Sequence, residues 1–433
     1  MKQFQLATLT LDKIVGGGQA LGTLEDGRKA FVWGGLPGEK VTISITKKKS
    51  HLVEGIVTEV LDASNERIAP KDAGSYISTS PWQIMNFDAE QHYKAALIEE
   101  AFELHNIVLP SPIEVYSDGR EFGYRNKLEF SWYGQEVDGA EILDLSFFAR
   151  GSHGKIPVEG SSLAIEAINI CARKVRDALR SCGVTARELK TLLIRADQQG
   201  NCSWQLYIKD RNAAIMSDSA IRAVGAKRGE IIYSDPKSPA SRITKRLISV
   251  GEDLDDTILD TRFHYATEGF FQINIPVYEQ ALRDMANWVP SEKPLVDMYA
   301  GVGTIGLTIG TDNTELIEID ENAVREMRNN ITSGTRHAEA ILAPAEQVLE
   351  YITSDKTIVV DPPRAGLHRD VIDKLIDTEP ARIIYLSCNP VTQARDVALL
   401  AEAYGVAYHQ GYNFFPRTPH IEHLVVLDLK ANH

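Results

Sequence analysis

A chain of 433 residues exceeds what one hydrophobic core usually serves, so two or three domains are expected. Its 43% apolar and 24% charged content is that of an ordinary globular protein, and no apolar run approaches the roughly 18 residues of a membrane span. The formal charge of −14 excludes a protein coated in positive charge, yet residues 1–61 hold eight Lys or Arg against six Asp or Glu, leaving −16 for the rest. The N-terminal MKQFQLATLTLDKIV has neither the apolar core of a secretory signal nor the make-up of an organelle presequence, so a cytoplasmic location with no membrane contact is expected.

Residues 1–61 alternate apolar and polar positions in FQLATLTL, KAFVW and KVTISIT, separated by the glycine-rich VGGGQALG, LEDG and GLPGE. Period-two runs of this length between tight turns read as a small OB-like β-barrel, with a linker at LDASNERIAP. From 62 to 265 a helical pattern (DAEQHYKAALIEEAFELH) and a second one around SSLAIEAINICARKVRDALRS mix with the strand patterns YRNKLEFSWY, TLLIRA, SWQLYIK and EIIYS. Without a strict strand–helix rhythm this is a mixed α/β central domain. From 266 to 433 the rhythm becomes regular: PLVDMYAG, TELIEID, TIVVDPPR and RIIYLSCNP each precede a helical pattern, which predicts a Rossmann-like parallel sheet. The whole is a multidomain α/β chain.

Ligands of such sheets sit beyond the carboxyl ends of the strands, and the chemistry-bearing residues fall there. Asp297 closes one strand, ahead of Gly301, Gly303 and Gly306, and Glu318 and Asp320 close the next, where a carboxylate can take two ribose hydroxyls. By itself this suits a dinucleotide, S-adenosylmethionine, or a bare glycine turn. The doubled proline after Asp361 fixes φ twice and removes two donors, holding the segment extended so that Asp361 and Arg364 face the crevice. Of the four cysteines, Cys171, Cys182 and Cys202 read as small core residues without disulfide or metal spacing. Cys388 stands at a strand exit before a helix, where unpaired N–H groups and the positive dipole favour thiolate, a strong carbon nucleophile. Glu422 lies between His420 and His423 before a closing strand; H-x-x-H without zinc-helix spacing gives no metal site.

In order and spacing, FFQIN (270–274), DMYAGVGTIGL, IEID, DPPRAGLH, LSCNP and FFPRTPHIEHLVVL resemble the S-adenosylmethionine-dependent RNA 5-methyluridine methyltransferases, of the type acting on 23S ribosomal RNA. FVWGGLPGEKVTI and SNERIAP resemble the RNA-binding barrel called TRAM that many of them carry. The resemblance implies a class I methyltransferase domain in which the Cys388 sulfur adds to carbon 6 of a uracil and Glu422 removes the proton from carbon 5. It implies that Gln272, Tyr299, Gly301, Glu318 and Asp361 hold the methyl donor, Asp361 also lying near the base, while Arg364 and Arg417 fall in matched motifs without a fixed role. A stacked base cannot present carbon 6, so the nucleotide must be swung out.

Several relatives bind an iron–sulfur cluster through a C-x5-C-x2-C run and a fourth cysteine. PKDAGSYISTSPWQ and VEGSSLA contain none, so no iron–sulfur cluster is expected, with aromatic and polar packing in its place. For RNA contact the barrel offers Lys47, Lys48 and Lys49, and the FGYRNK stretch offers Arg125 and Lys127 for phosphates and Tyr124 for stacking on a base. The expected substrate is ribosomal RNA, with a transfer RNA uridine as the alternative, and no obligate protein partner is evident. Three other readings compete: a nicotinamide-dependent dehydrogenase, which leaves Cys388 and Glu422 idle; a non-catalytic RNA chaperone; and an adenine amino-methyltransferase, which usually has an aromatic residue where Arg364 stands.

Overall fold

The alternation near the N-terminus closes on itself. Strands Leu6–Ile14, Ala20–Thr23, Lys29–Trp33, Leu52–Asp62 and Lys40–Lys48 form a closed barrel in that order. Leu9 pairs with Val41 in register, and the inward positions Leu9, Leu11, Val32, Val41, Ile43 and Val53 are buried, as period-two patterning requires. The computed structural model describes residues 5–152, 154–213, 215–334 and 336–431.

By compactness the chain divides into two units, each built from segments distant in sequence. The first takes the chain up to Leu97, Arg120–Glu252 and Phe415–Pro419; the second takes Ile98–Gly119, Asp253–Phe414 and the chain from His420. Local periodicity cannot see this exchange, because it depends on pairings between segments remote in sequence.

In the first unit the barrel is joined by a seven-stranded sheet ordered Lys245–Gly251, Arg228–Tyr233, Cys202–Ile208, Leu189–Ala196, Lys127–Val137, Ala140–Phe148 and Lys155–Pro157. Cys202–Ile208 with Arg228–Tyr233 is a parallel pair and the other five neighbouring pairs of this sheet are antiparallel, so a strict strand–helix rhythm is absent from the sequence. Helix Glu166–Ser181 covers one face through Ile168, Cys171, Ala172, Val175 and Leu179. Cys171 and Cys202 are core thiols as expected, but Cys182 is exposed: it caps the end of that helix, one step beyond the apolar stripe. Asp72 joins the segments PKDAGSYISTSPWQ and VEGSSLA: its Oδ2 accepts the Ser162 hydroxyl at 2.8 Å and the Gln83 amide at 3.0 Å.

The second unit holds an eight-stranded sheet in the order Ala338–Leu342, Thr314–Glu318, Leu295–Met298, Thr357–Val360, Arg382–Ser387, Glu422–Leu429, Tyr404–Tyr412 and Val115–Tyr116. The first five strands run parallel; Glu422–Leu429 is antiparallel to both its neighbours. Every residue of Leu295–Met298 and Thr357–Val360 is buried, which explains the continuous apolar runs in the sequence. That antiparallel strand puts its first residue, Glu422, where the parallel strands put their last.

Candidate functional site

Strand register brings the three catalytic candidates to one edge. Val360 pairs with Tyr385, and Ser387 pairs with His423. Asp361 and Cys388 therefore each follow directly on a parallel strand's end, and Glu422 begins the adjoining antiparallel one. Arg364 completes the cluster: its Nη2 lies 3.2 Å from Nδ1 of His420, and its charge acts on both Cys388 and Glu422.

The electrostatics of the cluster differ from the expectation for Cys388. Burial, then the Glu422 and Asp361 carboxyls, push the thiol up to about 11, against the opposing pull of Arg364. The helix start at Pro390 does not outweigh two acidic groups and half-burial, so the resting side chain is a thiol and not a thiolate. Burial and the Asp361 charge likewise push Glu422, which is 5% exposed, well above the carboxylate range. Asp361, partly open to solvent but crowded by protein, is raised to about 7 by burial. The site is thus a store of protons near neutral pH.

The segment after Asp361 stays out of helix until Arg369, as the doubled proline predicts, and the helix behind Cys388 clamps it. The Arg364 carbonyl accepts the Asn389 amide at 2.8 Å and the Thr392 hydroxyl at 3.1 Å. Asp396 Oδ2 accepts the Leu367 backbone N–H and the Tyr385 hydroxyl, both at 2.8 Å. Gly366 has φ +81°, and a Cβ there would sit 2.4 Å from the Asp396 Oδ2, so only glycine fits. Asn389, Thr392 and Asp396 were not singled out from the sequence; the available signal was a lone acidic residue, Asp396, on the otherwise largely apolar buried face of the helix.

The glycine-rich turn follows Asp297. Its Oδ2 accepts the Gly306 N–H at 2.8 Å, while Oδ1 is buried without a hydrogen-bond partner, and burial raises the carboxyl to about 8. A Cβ at Gly306 would come within 2.2 Å of Leu316, so helix Thr304–Ile309 can approach its neighbouring strand only through glycine. Glu318 Oε2 accepts the Gly301 N–H at 3.0 Å, and its Oε1 accepts the N–H groups of Ile319 and Asp320 at 2.8 Å. Asp320 instead caps helix Glu321–Ser333, accepting from Asn322 and Ala323, so the sequence's pair of acids divides into a crevice group and a cap. Gln272 is buried just ahead of helix Ile275–Ala286. Tyr299 adopts φ +68° and lines a cavity of about 480 Å³ with Pro363, Leu367 and Asp396.

The expected RNA contacts separate. Lys47, Lys48 and Lys49 are exposed at a barrel hairpin, although Lys47 pairs with Glu54 at 3.0 Å and Lys48 bonds Gln5. Arg125 and Lys127 are half-buried, the Arg125 Nε donating to the Lys127 carbonyl. Tyr124 is corrected outright: it is 3% exposed and donates its hydroxyl to the Pro416 carbonyl at 3.0 Å, so no ring face is open to a base. Arg417 is equally enclosed, bonding Glu90, Glu121 and the Met85 carbonyl. His423 is buried against Gln393 and His409, and among the described residues no group of three or more His, Cys, Asp or Glu is placed to hold a metal ion.

The family model for tRNA (uracil-5-)-methyltransferases matches residues 88–430. The chain belongs to that family. It is an RNA (uracil-5) methyltransferase, and the readings as a dehydrogenase, a non-catalytic chaperone or an adenine methyltransferase fall with that membership. A protein of Enterococcus faecalis described as an uncharacterized RNA methyltransferase is 29% identical over 431 residues, 92% of each chain. One from Nitratidesulfovibrio vulgaris with the same description is 25% identical over 98% of this chain and 96% of its own. The structure of Pyrococcus abyssi tRNA (uracil-54, C5)-methyltransferase, in complex with S-adenosyl-L-homocysteine, matches with a TM-score of 0.78 at 19% identity. It covers 97% of this chain and 100% of that one, which shows the same fold from the barrel to the last strand. No helix among the described residues is long and apolar enough to cross a membrane.

Proposed function

We propose that this family member methylates carbon 5 of a uridine in structured RNA through a transient bond between Cys388 and the base. The observation that carries the reading is the meeting of Cys388, Glu422 and Asp361 at three adjoining strand ends under the charge of Arg364. The residues around the glycine turn suit S-adenosylmethionine: the buried Asp297 Oδ1, which has no hydrogen-bond partner in the protein, can accept from a donor such as an ammonium group once the carboxyl ionises, and Gln272, Tyr299, Gly301, Glu318 and Asp361 are the residues that would hold the methyl donor. When bound, that molecule supplies a methyl group on a positively charged sulfur.

The chain's own residues do the rest. The Cys388 sulfur, once deprotonated, adds to carbon 6; the carbon 5–carbon 6 double bond opens and carbon 5 becomes electron-rich. Arg364 offsets the negative charge that passes from sulfur into the ring. After carbon 5 has been methylated, Glu422 takes its proton, the double bond re-forms, and the carbon–sulfur bond breaks to return the thiolate. Glu422 must be ionised at that moment, and sharing protons with Asp361 gives it a route to that state.

The three segments read from sequence, a barrel at 1–61, a central domain at 62–265 and the catalytic segment at 266–433, are retained as a functional division: two that carry RNA and one that transforms it. The barrel favours 23S ribosomal RNA as the substrate. The Pyrococcus abyssi protein, with the same fold throughout, acts on transfer RNA, which keeps a transfer RNA uridine as the second reading. Incubating the protein with labelled methyl donor and separately purified 23S and transfer RNA transcripts, then digesting to nucleosides, tests both. Labelled 5-methyluridine from the ribosomal transcript is expected; label only in transfer RNA selects the second reading, and label in neither, or in another nucleoside, refutes the function.

A further inference from the structure

At one end of the central sheet, four strands finish or begin side by side. Leu189 pairs with Ile208, Ile208 with Tyr233, and Tyr233 with Lys245. The segments around that row, 187–190, 209–211 and 235–245, contain seven Lys or Arg against three Asp or Glu, in a chain whose formal charge is −14. The acids are turned to local backbone: Glu188 accepts from Thr185, Asp210 from the Asn212 N–H, and Asp235 from the Lys237 N–H. The cations face out, with Arg187, Lys209 and Arg211 exposed on the first two segments and Lys237, Arg242 and Lys245 exposed on the third. Burial, then the nearby Lys209 charge, lowers the Lys155 ammonium alongside, as expected where like charges crowd.

The third segment is built and not merely charged. Lys190 Nζ lies within 3.0 Å of four of its oxygens, the Asp235 carbonyl at 2.7 Å, the Ser238 carbonyl and hydroxyl at 2.9 and 3.0 Å and the Pro239 carbonyl at 3.0 Å, and of the preceding Ser234 hydroxyl at 2.9 Å. An ammonium has three donors, so it is fully engaged in folding the loop around itself. With the loop's conformation set in advance, ordering Lys237, Arg242 and Lys245 on a partner costs less conformational entropy.

We propose that this end of the sheet, centred on Lys237, Arg242 and Lys245, is a docking surface for the phosphodiester backbone of the RNA substrate. The inference rests on the reading that RNA is what the enzyme acts on, and it adds a positioning surface remote in sequence from the Cys388 cluster. Phosphate fits better than a protein partner because the surface offers exposed cations on a held loop, with no large exposed apolar side chain among the described residues of these segments, and backbone contacts of this kind set register without reading sequence.

The test is Lys237→Gln/Arg242→Gln/Lys245→Gln, titrated with a short fluorescein-labelled RNA hairpin over a range of salt concentrations. Each lost phosphate contact flattens the slope of log affinity against log salt by ~0.7 to 0.9, so a decrease of about 2 to 3 is expected. KM for RNA should rise several-fold while kcat at saturating RNA and affinity for the methyl donor hold. Lys237→Arg/Arg242→Lys/Lys245→Arg should keep the wild-type slope. An unchanged slope and KM in the triple Gln variant overturns the proposal, as does loss of binding to heparin or anionic phospholipid vesicles with RNA binding intact. If the wild type makes no 5-methyluridine yet binds RNA with a slope that the triple variant flattens, the surface stands and the assigned reaction falls.

Discussion

Tyr385 and Asp396 bond across the base of the helix that follows Cys388, the tyrosine hydroxyl donating to Oδ2 at 2.8 Å. The same oxygen takes the Leu367 N–H, so one buried carboxylate fixes both the strand that delivers the cysteine and the loop that delivers Arg364. Asp396→Ala leaves two buried donors unpaired, at about 1 to 3 kcal/mol each, and Tyr385→Phe removes one hydrogen bond for about 1 kcal/mol. Denaturant unfolding should show that ranking. Single-turnover methylation should fall in Asp396→Ala well below Tyr385→Phe; equal rates would mean that the loop is held by other contacts.

The charge balance around Cys388 predicts a pH profile. The nucleophile is the deprotonated form, and with the thiol raised to about 11 the alkylation of Cys388 by iodoacetamide should be slow at neutral pH and climb toward that value. Arg364 favours the thiolate, so Arg364→Gln should move the curve to higher pH, whereas Glu422→Gln removes an opposing carboxyl and should move it lower. Following the Cys388 peptide by mass spectrometry separates it from the exposed Cys182. A shift of the same sign in both variants would show that Arg364 and Glu422 do not act on the thiol as opposing charges.

Asp297 offers a test through stability. Its carboxyl is raised to about 8 in the fold, above the unfolded value near 3.8, so its protonated form favours the native state. That contribution is complete at low pH and is lost as pH rises from about 4 to about 8, by up to ~1.4 kcal/mol per unit. Asp297→Asn keeps an acceptor for the Gly306 N–H but cannot ionise. The variant should therefore gain stability relative to wild type as pH rises over that window, measured without methyl donor, and should bind the donor more weakly. A constant difference from pH 4 to 8 would contradict the buried-acid account.

The parts of the site that were legible in the sequence are those fixed by a strand's end. A buried parallel strand must expose its next residue at the carboxyl edge, which located Asp361 and Cys388, and the turn before the last strand located Glu422. What could not be read depends on partners distant along the chain. The charge state expected for Cys388 followed from its own helix, but burial, and after it two carboxyls from other strands, reversed it. Tyr124 reads as a stacking platform in the sequence, but its ring is buried and its hydroxyl is held by the carbonyl of Pro416, 292 residues away. The strand Val115–Tyr116 completes the second unit's sheet by pairing with Tyr404–Tyr412, which no local pattern announces. The Lys190 loop was invisible for the same reason: its five acceptors lie more than 40 residues on.

The central claim is a covalent bond from Cys388 to the substrate base, and RNA carrying 5-fluorouridine tests it most directly, because fluorine at carbon 5 cannot leave as a proton and the adduct persists. Wild type should yield a protein–RNA species that survives denaturation and maps by mass spectrometry to the peptide containing Cys388, while Cys388→Ala should yield none. Glu422→Gln should methylate ordinary RNA slowly and hold a long-lived adduct with it. A Cys388→Ala enzyme that still produces 5-methyluridine at the wild-type rate, or an adduct that maps to another side chain, would contradict the account.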